Sequence, residues 1–261
     1  MGQGEATSVA EDSFGISPIK PPSAYELVVD QIRRALALGR FNPGDMLPSE
    51  RGLAQQLGVS RTVVREAIRV LEGEGLLEVT RGATGGSRVL PAAGSQRLSA
   101  EERRRQGEEI EQITEFRLAN ECAAARGAAQ NRTDEESERL QQLVALQEGL
   151  LDAAAVTDDE LERTRLTSRF IEVDNRFHLS VAAASHNHFL ADAVETARIN
   201  MRKPIGAIFA TTTEDVNFQH REIADAIAGH DPEAAEAAMR NHIRSTRATL
   251  LEHLASNAAK R

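Results

Sequence analysis

The feature that most constrains the fold is the segment from Leu47 to Leu77, in which two short helical patterns are joined by a Gly-Val-Ser turn. Ser60, the last residue of that turn, is a good helix N-cap because its hydroxyl accepts from a free amide of the first turn. After it, apolar residues recur at three- and four-residue spacing, which gives a helix one apolar stripe: Val64, Ala67, Ile68 and Leu71. The pattern predicts a helix-turn-helix, and hence contact with DNA.

Polar and cationic side chains occupy the opposite face of the second helix. They are Arg61, Thr62, Arg65 and Arg69, and Arg51 lies near the start of the preceding helix. A guanidinium near the start of a helix that enters the major groove can bind guanine through two hydrogen bonds or clamp a phosphate. Base contacts are expected from the second helix, and contact with the DNA backbone from Arg51.

A β-hairpin is predicted directly after this helix. Residues 76–80 and 87–90 resemble two short strands, and the glycine-rich run RGATGG between them allows the positive φ angles of a tight tip. A strand pair behind a helix-turn-helix is a wing. Arg81, at its tip, is placed to enter a minor groove.

The alternative for these arginines is that they form solvated ion pairs on the protein surface, with Glu66, Glu72 and Glu74 as the candidate partners. Surface charges commonly do this, at little gain in stability. We favour this interpretation for Arg69. The helix and wing context favours DNA contact for the other four: Arg51, Arg61, Arg65 and Arg81.

Length and charge fit a chain of two domains. The chain has 261 residues, and its net charge of -9 is unevenly distributed, since residues 20–91 hold ten Lys/Arg against eight Asp/Glu. A mildly basic module on an acidic body confines phosphate contact to one end of the molecule. Cys122 is the only cysteine, so no intrachain disulfide forms, and we expect its thiol to pack in a core.

Four segments follow from the composition. We predict a disordered tail at 1–20, a winged helix-turn-helix at 21–91, a linker at 92–107 and a helical domain at 108–255, where six amphipathic stretches and no convincing strand indicate a bundle. The fold class is therefore mainly α, an N-terminal winged helix-turn-helix with a C-terminal all-α helical bundle. No signal peptide or long apolar stretch is found, so a soluble, cytoplasmic protein without a membrane partner is expected.

Ionisable side chains occupy the apolar stripes of three of these helical stretches. Asp174 and His178 share one stripe, and His220 and His242 each lie in the stripe of a later helix. Each histidine alone is more often a hydrogen-bonded core residue. Together, one divalent cation satisfies all four, and three nitrogens with one oxygen suit Zn²⁺, Ni²⁺, Mn²⁺ or Fe²⁺ without choosing among them.

Arg117 lies on the apolar stripe of the first helix of this domain. It has two interpretations, which the sequence leaves equally open. It can form an internal salt bridge with Glu121, one turn further along the helix. Alternatively, because a guanidinium binds a carboxylate through two hydrogen bonds, Arg117 and an open metal position can hold a small organic acid between them.

The N-terminal motifs resemble the winged-helix domain of the GntR family of bacterial transcription regulators. The resemblance rests on residues 39–51 (GRFNPGDMLPSER), 59–67 (VSRTVVREA) and 74–76 (EGL). It implies that the family's DNA-contacting positions are filled here by Arg51, Arg61, Thr62, Arg65, Arg81 and Gly82.

The helical part resembles the effector-binding domain of the FadR subgroup, called FCD. In that domain an Asp-x-x-x-His pair and two further histidines bind a metal, an order that Asp174, His178, His220 and His242 match. Two-fold DNA readout and the resemblance imply a homodimer on a palindromic operator, and we expect a small carboxylate in the helical cavity to control its fit to DNA. The resemblance implies that the result is release from DNA, and thus a repressor; a sensor is favoured over an enzyme. Two alternatives stay open: the metal itself is the signal, or the site belongs to a metal-dependent enzyme, for which no candidate base is found.

Overall fold

The computed structural model describes residues 22–80, 82, 85–90, 99–205 and 214–259, of which 202–205, 214–217 and 256–259 are described by their backbone only. The predicted tail, the first part of the predicted linker and Arg81 lie outside the described residues. Within the described ranges the chain forms nine helices and one two-stranded sheet: α1 (Ala24–Ala37), α2 (Glu50–Leu57), α3 (Arg61–Gly73), β1 (Leu77–Thr80), β2 (Gly86–Val89), α4 (Ala100–Asn131), α5 (Asp134–Val156), α6 (Glu160–Ala184), α7 (His188–Ile205), α8 (Glu214–Ala228) and α9 (Pro232–Ala259).

The first unit is the predicted winged helix-turn-helix. Gly58, in the left-handed conformation with φ 69°, ends α2, and the Ser60 hydroxyl caps α3 by accepting from the amide of Val63. All four residues of the predicted α3 stripe are buried in one core with side chains of α1 and α2. Strands β1 and β2 pair antiparallel, with Leu77 opposite Val89, and form the wing. The core therefore fixes which face of α3 is exposed.

The second unit is the predicted helical bundle, α4 to α9. Short connections separate its helices, for example between Asn131 and Asp134 and between Ala184 and His188. Helix α4 packs against α6, α7, α8 and α9, and α5 packs against α6 and α8. None of the described helices has both the length and the apolar character needed to cross a bilayer.

The predicted linker is wrong over its last part, because α4 begins at Ala100 and not at residue 108. Ser99 and Glu102 form a capping box: the Ser99 hydroxyl accepts from the Glu102 amide at 3.2 Å, and the Glu102 carboxylate accepts from the Ser99 amide at 2.7 Å. The next turns have no apolar stripe, but ion pairs at four-residue spacing, Arg104 with Glu108 and Arg105 with Glu109, stabilise an exposed helix.

The two units contact each other at the C-terminal end of α1. Arg34 of α1 donates two hydrogen bonds to Glu195 of α7, from Nε to Oε1 and from Nη2 to Oε2. Gly39, with φ 74°, lies directly on α6, where an added Cβ would be 3.1 Å from the Cα of Glu172. Only a glycine fits this position without strain.

Candidate DNA surface and metal centre

The exposed face of α3 carries three of the predicted DNA-contacting residues, Arg61, Thr62 and Arg65. Arg65 donates two hydrogen bonds to the Glu50 carboxylate of α2, at 3.1 and 2.8 Å, and Arg61 lies 3.8 Å from the same carboxylate. Their acidic neighbour is thus Glu50, not one of the three glutamates named in the ion-pair alternative. Because such exposed pairs are weak, both guanidinium groups remain available to DNA.

The other predicted contacts lie around α3. Arg51 is exposed on the first turn of α2. Gly82, which lies between β1 and β2 in the sequence, has φ 123°, a backbone conformation that favours glycine. Arg81 is outside the described residues. Helix α3, the candidate recognition helix, therefore presents cationic side chains beside the wing.

The three predicted histidines meet in the core of the helical unit. His178 of α6, His220 of α8 and His242 of α9 are at most 2% exposed, and one nitrogen of each lies within 4.8 Å of those of the other two. Their ring centroids are 4.5 to 5.2 Å apart. The ring of Phe177 lies against His220, with the centroids 4.5 Å apart. Three helices therefore bring three imidazoles into one buried cluster.

In each of these histidines the Nδ1 atom lies near a side-chain oxygen. His220 Nδ1 is 3.0 Å from Gln147 Oε1, and His242 Nδ1 is 3.3 Å from Gln219 Oε1. His178 Nδ1 is 2.6 Å from Glu121 Oε2, although the angles there are not those of a hydrogen bond. In His220 and His242, an Nδ1–H group directed at the amide oxygen would leave Nε2 as the lone-pair donor, which is how outer partners orient metal-binding histidines.

Two of the histidine Nε2 atoms make no hydrogen bond to any described residue. They are the buried Nε2 atoms of His178 and His220. Buried polar atoms without partners are rare in proteins and call for a cause. A cation among the three rings would supply that partner for both atoms.

Asp174, the fourth residue of the predicted ligand set, lies at the edge of the three-histidine cluster. Its Oδ1 atom is 3.4 Å from His220 Nε2 and 3.7 Å from His178 Nε2. Its Oδ2 atom accepts a hydrogen bond from Arg198 of α7, a buried residue outside the predicted set. One carboxylate oxygen therefore faces the histidines while the other is held by a guanidinium.

Arg117 is buried and forms the internal salt bridge that one of its two interpretations requires. Its Nε and Nη2 atoms donate to the two oxygens of Glu121, at 2.6 and 3.3 Å. Glu121 thus lies between Arg117 and His178. The salt bridge lies next to the histidine cluster. The second interpretation, in which Arg117 also binds the effector, is part of the proposed function.

The other residues around the cluster were absent from the sequence prediction: Glu121 as a neighbour of His178, and Gln147, Arg198, Asn175 and Gln219. Two of them carried a usable signal. Arg198 occupies the apolar stripe of Val194 and Met201, and Gln147 that of Leu140 and Leu143, so each breaks its stripe as Arg117 does.

Burial and neighbouring charges decide the protonation states at the centre. Burial alone raises the pKa of the Glu121 and Asp174 carboxyls, but Arg117 and Arg198, with the nearby histidines, hold both pKa values well below their usual range. Burial lowers the pKa of His220 to about 3, against the opposing effect of Asp174. Burial, followed by the neighbouring His220, His178 and Arg117 side chains, lowers the pKa of His242 as well. Near neutral pH both carboxylates are charged and these two imidazoles are neutral, the forms that bind metals.

These pKa values predict how the stability of the metal-free protein depends on pH. A histidine whose pKa is lowered on folding binds fewer protons in the folded state, so its stabilising effect is complete above pH 6.5 and is lost as the pH falls. We expect His220 alone to lower the free energy of unfolding by about 1 kcal/mol between pH 7 and pH 5.5. Urea titrations with a chelator present should show this loss, and His220→Gln should reduce it by about that amount. His188→Ala, at an exposed position, should leave it unchanged; an equal loss in the His220→Gln variant would contradict the prediction.

Comparison with known proteins covers both units. Residues 24–86 match the family model described as bacterial regulatory proteins, gntR family, and residues 112–245 match the FCD domain. The chain is 30% identical over 236 residues to the Uxu operon transcriptional regulator of Escherichia coli (strain K12), covering 87% of each protein. It is 28% identical over 254 residues to the HTH-type transcriptional repressor NanR of Enterobacter sp. (strain 638), covering 94% of this chain and 92% of that protein.

A solved structure supports the same fold. E. coli McbR/YncC superposes with a TM-score of 0.51 at 20% sequence identity, over 89% of this chain and 99% of that one. The family matches, the relatives and the exposed recognition helix agree with one another. The chain belongs to the GntR family of bacterial DNA-binding transcription regulators and carries a C-terminal effector-binding FCD domain.

Proposed function

We propose that this regulator is a repressor that binds a palindromic operator as a homodimer and leaves it when a small organic acid binds at a metal ion in the helical domain. The observation that carries the proposal is the group of three buried histidines, two of which have an Nε2 atom without a hydrogen bond to any described residue, beside the Asp174 carboxylate. A divalent cation would be held by Asp174, His178, His220 and His242. When bound, it would supply an electrophilic position for a carboxylate or hydroxyl oxygen.

The charge balance of the centre supports an anionic effector. The described side chains around the histidines comprise two carboxylates, Glu121 and Asp174, each paired with one buried guanidinium. A divalent cation leaves this dry region with an excess of positive charge. Because an uncompensated charge in a protein interior is costly, an anion is the ligand that restores the balance.

The DNA side of the proposal rests on the recognition helix and the wing. Arg51, Arg61, Thr62, Arg65, Arg81 and Gly82 are proposed to contact DNA. A homodimer follows from two-fold readout, because two winged helices then meet the two arms of a palindrome. The repressor role is supported by the relative named transcriptional repressor NanR. A cytoplasmic location is part of the same proposal.

The metal centre is tested by the metal content of protein purified without a nickel column. Elemental analysis should give about one equivalent of Zn, Ni, Mn or Fe per chain. Restoring a metal to chelated protein, at 100 times its dissociation constant, should raise the free energy of unfolding by about 2.7 kcal/mol. His220→Ala should weaken metal binding by about 10- to 100-fold or more, since loss of even an outer partner costs that much. His188→Ala is the matched control.

A different result redirects the proposal. If no metal is present and none is taken up, the three histidines are structural, and the effector must be held by Arg117 and polar contacts alone. If a chelator changes operator binding with no organic acid present, the metal itself is the signal. The enzyme alternative is set aside, because the matched families and relatives are regulators.

A further inference from the structure

We infer that Asn175 and Arg198 connect the metal centre to the DNA-binding unit, so that metal binding at the centre changes how firmly the C-terminal end of α1 is held. The inference rests on the proposed function, since it assigns the route by which that site would act. Asn175 follows the candidate ligand Asp174 directly in α6, and the two side chains share Arg198 as a hydrogen-bond donor.

The connection consists of three contacts in series. Arg198 donates through Nη2 to Asp174 Oδ2 and through Nε to Asn175 Oδ1, the latter at 2.8 Å. The Asn175 amide nitrogen then donates to the backbone carbonyl of Ala37, the last residue of α1, at 3.4 Å. Asp174, Asn175 and Arg198 are at most 4% exposed. A candidate metal ligand is thus joined to the DNA-binding unit through two buried side chains.

The surrounding contacts hold α1 to the same two helices. Glu195 lies three residues before Arg198 in α7 and pairs with Arg34 of α1. Glu172 lies three residues before Asn175 in α6 and is the residue against which Gly39 packs. The end of α1 therefore rests on the helical turns that position Asn175 and Arg198, and any shift of these turns is transmitted to it.

Helix α1 is in turn joined to the recognition helix. It packs directly against α3, and its Arg33 donates to Glu74, the C-cap of α3, with Nε to Oε2 at 3.0 Å. A cation bound through the free Asp174 oxygen would hold that carboxylate still, and with it Arg198 and Asn175. The end of α1 would then be held more firmly, and the orientation of α3 relative to the helical unit would be restricted.

Hydrogen–deuterium exchange with Zn²⁺ as the only added ligand tests the connection. The readout is the exchange of the amides of Leu38, Gly39 and Arg40, which donate to carbonyls of the last turns of α1. In the wild-type protein, saturating Zn²⁺ should slow their exchange by about fivefold or more, the lower end of ordinary coupling between sites. In Asn175→Ala the same Zn²⁺ should leave their exchange unchanged.

Two further variants keep the test decisive. Gly39→Ala forces a Cβ against Glu172, outside the metal centre, and should abolish the Zn²⁺ effect while Zn²⁺ titrates with wild-type affinity. Asn200→Ala, on the exposed side of α7, is the matched control and should behave as the wild type. Zn²⁺ protection that persists in both Asn175→Ala and Gly39→Ala overturns the connection but leaves the metal centre intact. A wild-type protein that takes up no Zn²⁺ overturns both.

Discussion

Replacing Arg61 with alanine is expected to weaken binding to a specific operator duplex by about 10- to 100-fold without changing the unfolding temperature. Arg61 is the first residue of α3, and 63% of its side chain is exposed. The nearby Glu50 carboxylate, 3.8 Å away, is too distant for a hydrogen bond. Truncation therefore costs the fold little, and what is lost is a guanidinium at the helix start that can bind guanine through two hydrogen bonds.

The experiment requires a duplex selected by the wild-type protein from a random pool, with binding followed by fluorescence anisotropy at fixed salt. Arg69→Ala is the matched control on the same helix, because Arg69 is also exposed and was assigned to the surface. We expect it to retain affinity within about twofold, apart from any nonspecific loss of charge. Undiminished binding by Arg61→Ala, or equal losses in the two variants, would refute our assignment of the recognition face.

The winged helix and the positions of the centre were predictable because both depend on local patterns. Ser60 and the α3 stripe follow from capping and helical spacing. The same spacing directs His178, His220 and His242 towards one interior. An ionisable residue that lies in the apolar stripe of a helix is expected to face the core, whatever the rest of the fold is.

Pairing could not be predicted, since it depends on which helices become neighbours. Arg65 binds Glu50, fifteen residues away, and Arg198 binds Asp174 across the α6–α7 contact. The extension of α4 to Ala100 was missed for a different reason: a capping box and exposed ion pairs stabilise a helix that shows no apolar stripe. The spacing of apolar residues identifies the buried face of a helix. It does not show which side chains pair between helices, and it does not reveal a helix that is exposed on all sides.

Arg117→Met is expected to lower the free energy of unfolding of the metal-free helical unit by about 3 to 5 kcal/mol. Both members of the Arg117–Glu121 pair are nearly inaccessible, with side-chain exposures of 3% and 1%. Removing the guanidinium leaves a charged carboxylate in a dry core, since Arg117 is one of the groups that keep the pKa of Glu121 low. Glu121 must then either remain charged without its main partner or take up a proton, and both cost stability.

The double variant Arg117→Met with Glu121→Met distinguishes the cost of an unpaired Glu121 carboxylate from the net stabilisation that the salt bridge provides. It leaves no unpaired charge, so we expect most of the lost stability to return, as buried ion pairs are often replaceable by apolar side chains. Arg104→Met is the matched control: it removes an arginine from the same helix, at the same spacing from its glutamate, but at an exposed position, and should cost less than about 1 kcal/mol. Urea titrations in the presence of a chelator measure all three. If Arg117→Met proved as mild as Arg104→Met, Glu121 would not depend on Arg117, and the reason for a buried arginine beside the histidines would have to be the effector.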